Sequence, residues 1–289
     1  MTKNGTASII ALAAGIVLCT AARVVGILFF TDMKTGFLFH ESEFLYCVIF
    51  YVICAASAVL TAAFAPKYPT EGSGLSKNKT LVVGWIMVFM AALAAWDGIS
   101  NLSSVNYSLL IIIGDFVAAV YIEIVGIVTL VKKKISAGLG FMYSVVGVYF
   151  ILRAVEILSQ RMVIISVQEY LLEVLGVSAG AVCFALFGKI YSDNGEKRSV
   201  FFLRFWGSGA AVITVSTFLG AVLAKLFGPD EISKRITADF IEAQRYYQEN
   251  AMSADGSYMM SFVPYVNAVM GIFAAAAVIM SLSENTSGK

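Results

Sequence analysis

Charge is scarce in this sequence: only 13% of its 289 residues are Asp, Glu, Lys or Arg, against roughly a quarter in an ordinary soluble domain. Hydrophobic residues make up 59%, and the mean hydropathy is +0.84. A water-soluble globular domain is excluded. No sign of charge dominates either, since 20 basic residues face 19 acidic ones, so there is no basic excess to hold a phosphate backbone and nucleic acid is excluded as a partner. A single histidine, His40, excludes most metal-site and triad chemistry. The four cysteines (Cys19, Cys47, Cys54, Cys183) stand singly in apolar runs without CxxC spacing, which predicts packing rather than a disulfide or zinc framework. No Walker A loop and no GxGxxG occurs. Neither a cofactor nor a resident metal is expected.

What the chain has instead is long apolar runs. A bilayer core about 30 Å thick requires roughly 20 mainly apolar residues per helix, and eight runs qualify, at about 8–30, 43–65, 81–102, 107–131, 139–160, 168–189, 200–227 and 261–283. The fold class is therefore all-α, a polytopic integral membrane protein with the lipid bilayer as its first partner. Turn residues punctuate the runs, for example Pro66, Pro69, Gly72 and Gly74, then Asp193, Asn194 and Gly195. The first run has features of a signal peptide, with Lys3 ahead and Thr20, Ala21, Ala22 as small residues. Apolar character resumes after Arg23, however, which makes the run long enough to span and predicts that it is retained.

Basic residues in alternate connections set the orientation, because short cytoplasmic loops are rich in Lys and Arg. One side carries eleven and the other five, which predicts a cell-membrane protein with both termini cytoplasmic. Residues 228–260 then form the one long extracytoplasmic connection. Within it Ile232, Ile236, Phe240, Ala243 and Tyr247 recur at helical spacing, with Asp239, Glu242, Arg245 and Glu249 between them, the pattern of an amphipathic helix.

An internal repeat is legible. Arg23, Val25, Ile27 and Leu28 in the first run match Arg153, Val155, Ile157 and Leu158 in the fifth. Glu43-Phe44-Leu45 answers Glu169-Tyr170-Leu171, Lys67 answers Lys189, Trp85 answers Trp206, and Gly114 with Phe116 answers Gly271 with Phe273. The order is kept throughout. It divides the chain into a first four-helix half, 1–131, and a second, 132–289, with 228–260 as an insertion. With an even number of spans each, the halves are parallel and related by an axis along the membrane normal.

Charges inside the spans are the functional candidates, since an Arg, Lys or Asp at a helix centre costs about 2.5–3.5 kcal/mol on insertion scales. Arg23, Asp97, Asp115, Arg153, Glu156 and Glu173 all fall in the same, outer half of the membrane, at a depth where they can form one substrate-binding site. Arg153 and Glu156, three residues apart, share a helix face and have a local ion pair available. Glu123 stands alone near the middle of the fourth run, where a lone carboxylate demands a proton, a cation or water, and it is the candidate coupling group. Arg204 at the cytoplasmic edge is expected to snorkel. Gly176 and Gly180 form a GxxxG, which predicts close helix contact, and Trp85, Trp96 and Trp206 read as interface or core aromatics.

Enzyme templates fit poorly. Gly207-Ser208-Gly209 has the look of an intramembrane serine-protease motif, but Ser208 has no histidine on its side of the membrane. Lys225, as a pigment-binding Schiff-base lysine, lies at the wrong end of its helix. The chain is read as no enzyme. With five embedded acids against two arginines, the expectation is a permease or carrier for a small, cationic solute, coupled to a proton or cation. The competing class is a non-catalytic membrane subunit that docks a partner membrane protein or lipid through its external helix.

Overall fold

In the computed structural model of the chain, the residues described are 3–30, 40–65, 75–102, 109–160, 167–194, 197–228 and 265–282. They form eight helices: α1 (Lys3–Phe29), α2 (His40–Ala63), α3 (Lys77–Leu102), α4 (Leu109–Lys132), α5 (Ala137–Gln160), α6 (Val167–Lys189), α7 (Lys197–Phe227) and α8 (Tyr265–Leu282). A π-helical turn, Ile190–Asn194, continues α6. No strand occurs among the described residues. All eight helices are long and apolar enough to cross a membrane, and each matches one of the eight runs to within a few residues. The chain is thus an all-helical, multi-pass membrane protein. Helices suit this solvent because every backbone N–H and C=O inside them is satisfied within the segment, whereas hydrocarbon offers no substitute for a missing partner. The amphipathic pattern of 228–260 lies outside the described residues, apart from Gly228.

Helix ends follow local chemistry. Lys133 closes α4 in the left-handed conformation (φ 52°), and its N–H bonds back to Thr129 O at 3.1 Å, a single-residue cap at a terminus where Lys132 also complements the carbonyl end of the helix.

The longest helix, α7, is the hub of the bundle and packs against α1, α2, α6 and α8. The α3–α4 hairpin joins through α8 and α5, while α5 and α6 form a second tight hairpin. Burial is greatest in α8, with 72% of its span enclosed, against 39% for α1 and α2. Where α5, α6 and α8 meet, aromatic rings fill the core: Phe184 stacks on Phe273 at 4.1 Å between ring centres, and Phe150 on Phe184 at 5.3 Å.

Lipid tails are as apolar as leucine, so helices in a bilayer associate through close backbone approach and a few polar contacts. Both devices are present. Gly140 of α5 and Gly188 of α6 face each other so closely that a β-carbon on either would fall on the other's carbonyl. Gly147 lies against Ala181 O in the same seam. Ser57 of α2 donates to Ala11 O of α1 at 3.0 Å, beside Gly15, which leaves room for its side chain. Gly176 and Gly180 do make close contacts, but with two different neighbours: Gly176 faces Thr214 of α7 and Gly180 faces Met270 of α8.

Glycine substitutions test this packing with opposite signs. Gly188→Ala has no space in the α5–α6 seam and lowers stability by about 1–3 kcal/mol, as overpacking does. Gly114→Ala meets open space on α4 and gains up to about 1 kcal/mol of helix propensity. Thermal unfolding of the two variants in one detergent reads the difference.

Candidate functional site

Toward the ends of α3 and α5 and the start of α4, three charged side chains converge. Arg153 of α5 places Nη2 at 2.6 Å from Asp97 Oδ2 of α3 and Nη1 at 3.7 Å from Asp115 Oδ1 of α4. Tyr149, one turn before Arg153 on the same face of α5, joins them: its hydroxyl lies 3.2 Å from Arg153 Nη1, which donates to it, and donates in turn to Asp115 Oδ1 at 3.3 Å. All three charged residues are buried.

Packing of α3 on α4 brings the acids together: Gly98, next to Asp97, lies at ordinary contact distance from the Asp115 side chain and the Phe116 ring, so the two carboxylates come onto neighbouring helices at one level. The short 2.6 Å contact identifies Asp97 as the acid most firmly held by the guanidinium. Asp115 is held by longer contacts to the same cation and to a phenol. Two carboxylates on neighbouring helices thus share one arginine.

Other sequence candidates lie elsewhere. Glu173 of α6 accepts a hydrogen bond from Asn267 Nδ2 of α8 at 3.0 Å. Arg23 is buried where α1 crosses α7, its stem lying over Gly220, where any larger residue would collide with it. The Glu156 side chain lies outside the described residues, so its anticipated pairing with Arg153 does too. Glu123 is exposed on the outer face of α4, about 12 Å along the helix from Asp115 at 1.5 Å per residue. The contacts seen bring together Asp97, Asp115 and Arg153, while Glu173 is seen on Asn267 and Arg23 on Gly220, and Glu123, placed by the sequence nearer the middle of the span, faces outward.

Three polar residues of these contacts were not singled out from the sequence: Tyr149, Asn267 and Ser281. Each had a signal. Tyr149 stands four residues before Arg153, and Asn267 is the one amide within the α8 run. Ser281 matters because Arg204 does not snorkel. That arginine is buried and donates to Ser281 Oγ at 3.1 Å and Ser281 O at 2.8 Å, placing a cation on the unsatisfied carbonyl end of α8. Ser208 donates to Arg204 O at 2.6 Å within its own helix, the usual use of a serine inside an apolar helix. Lys225 is exposed near the end of α7. Among the described residues no group of three or more metal-ligating side chains occurs.

Compared with known protein families, curated proteins and solved structures, the chain matches none of them.

The shared guanidinium gives an asymmetric mutational response. Arg153→Ala removes one side of the buried Asp97–Arg153 pair and costs about 3–5 kcal/mol, the range for breaking such a pair. Asp115→Asn keeps the Asp97–Arg153 pair and costs far less. Thermal unfolding should also show Arg153→Leu with Asp97→Leu more stable than Arg153→Ala alone, because the double change removes both partners of a buried pair rather than one.

Proposed function

We propose that the protein is a multi-pass permease or carrier for a small cationic solute, coupled to a proton or cation. The observation that carries this reading is the convergence of Asp97 and Asp115 on one arginine. In this scheme Arg153 and Tyr149 position the two acids. Asp115, held by the longer contacts, exchanges a proton or cation. Arg23 serves the equivalent place in the other half. The coupling role, first assigned to Glu123, moves to Asp115, because Glu123 faces away from the cluster.

The same reading places both termini in the cytoplasm, on the strength of the basic-residue bias, and treats 1–131 and 132–289 as parallel halves. The order-preserving sequence matches, Arg23 with Arg153 and Trp85 with Trp206 among them, are what support the halves.

A second reading has its own observation. Glu123 is exposed at the centre of α4, and a carboxylate in that place is expensive against lipid. A non-catalytic membrane subunit would cover that face with the helix of a partner protein, in addition to any docking through the external segment.

Proteoliposomes discriminate between the two. Loaded with a pH dye and challenged with a panel of inorganic and organic cations, the wild-type protein should move protons against at least one of them. Asp115→Asn should reduce that flux at least tenfold while remaining monodisperse, and Glu123→Gln should leave it intact. If no cation moves protons in wild-type vesicles, the carrier reading fails. If flux is lost with Glu123→Gln but not with Asp115→Asn, the assignment of Asp115 fails. Cysteines placed at Lys77 and Lys234 should label from opposite sides of the membrane, and same-side labelling would overturn the orientation.

A further inference from the structure

On the outside of the bundle, α8 is recessed between α3 and α7, and the three helices enclose an apolar cleft of about 660 Å³. Phe89 and Trp96 of α3 form one wall, Phe218 and Leu219 of α7 the other, and Ala268 and Ile272 of α8 the floor. Tyr265 and Val269 complete the α8 side, so that the cleft follows about two turns of that helix. It opens sideways, as the exposure of Phe89, Trp96, Leu219 and Ile272 shows.

Its depth identifies what fills it. Phe89 is at the middle of α3 and Trp96 seven residues nearer its end, so this wall runs about 10 Å, at 1.5 Å per residue, from mid-membrane outward. That is most of one leaflet's hydrocarbon, which is about 15 Å, half the bilayer core. Beyond the open end stands a charge. Lys225 lies seven residues after Phe218 on α7, hence two turns further along the same stripe, and it is exposed. About 9 Å separates it from Leu219 along the axis, which lifts its ammonium to headgroup level, where a lysine's long stem carries it toward the interface.

We infer that this cleft is a binding site for one anionic phospholipid of the leaflet at which α7 ends, with an acyl chain lying between α3 and α7 on α8 and the phosphate held by Lys225. The apolar cleft supplies the affinity for a chain, and the lysine supplies the preference for a net negative headgroup. The site is separate from the Asp97–Asp115–Arg153 cluster and does not depend on the carrier reading.

Trp96 makes the site directly observable. In a Trp85→Phe/Trp206→Phe background it is the sole tryptophan of the chain's three. Dibrominated phosphatidylglycerol titrated into the delipidated full-length protein in detergent should quench Trp96 saturably. Dibrominated phosphatidylcholine should need about fivefold more, the worth of one lysine beside an anionic headgroup. Lys225→Gln, a change at an exposed side chain, should bring the phosphatidylglycerol curve onto the phosphatidylcholine curve. Ile272→Phe, which enlarges the exposed floor residue into the cleft, should weaken both lipids alike. Equal quenching by the two lipids, or a preference that survives Lys225→Gln, would overturn the headgroup assignment. Quenching that does not saturate, or that Ile272→Phe leaves unchanged, would overturn the cleft itself. So would protection of Trp96 that grows with protein concentration, since it would mean that a second copy of the chain covers the site.

Discussion

Hydrocarbon cannot solvate a charge, and the Arg153 guanidinium is where that constraint has the greatest structural consequence. A buried cation in a bilayer must be answered by acceptors on neighbouring helices, and Asp97 and Asp115 come from two different ones. The result ties three helices at one level. α3 and α5 both pack against α4, and the Asp97–Arg153 contact lets them reach across it to each other. A pair of this kind adds little net stability compared with apolar residues of the same volume, but removing one partner is costly. Its effect is to fix which helices are neighbours and at what height, something the non-directional packing of Leu, Ile and Val does weakly.

Depth in the membrane was legible in the sequence, and direction around each helix was not. The eight spans follow from run length alone, and the common level of Asp97, Asp115 and Arg153 follows from their places within those runs. Which of the embedded charges meet is another matter. In a soluble helix the apolar stripe reveals the buried side, but a membrane helix is apolar all round, so Ile122, buried, and Ile124, exposed, look alike in sequence. Glu123 between them gives no better indication, and it turns outward. Arg23 sits at the same depth as Arg153 and in the same local motif, yet it lies over Gly220 of α7, because α1 borders that helix and not α4. Arg204 shows the converse: position near an edge suggested snorkelling, whereas the end of α8 beside it offers a carbonyl that a cation can cap.

The two ends of the bundle are held by different contacts. At the end where α5 and α7 begin, Gly140 meets Gly188 backbone to backbone and Arg204 caps α8. These contacts leave little room for relative movement, since interfaces so closely packed have few alternative arrangements. At the opposite end lie the shared arginine, the Glu173–Asn267 contact and the lateral cleft. Close approach continues there, at Gly176 against Thr214 and Gly220 under Arg23, but the charged contacts are made by side chains, which can exchange partners without separating the helices.

That division bears on how the charged cluster can work. On the proposed carrier reading, a ligand that joins Asp115 leaves the Asp97–Arg153 pair in place. The helices are then held by one interaction and the ligand by another, so that loading does not require the fold to come apart. Were Arg153 equidistant from both acids, a ligand would compete with the clamp itself. On the proposed carrier reading, the unequal contacts, 2.6 Å on one side and 3.7 Å on the other, divide holding and exchanging between two acids that share a single guanidinium.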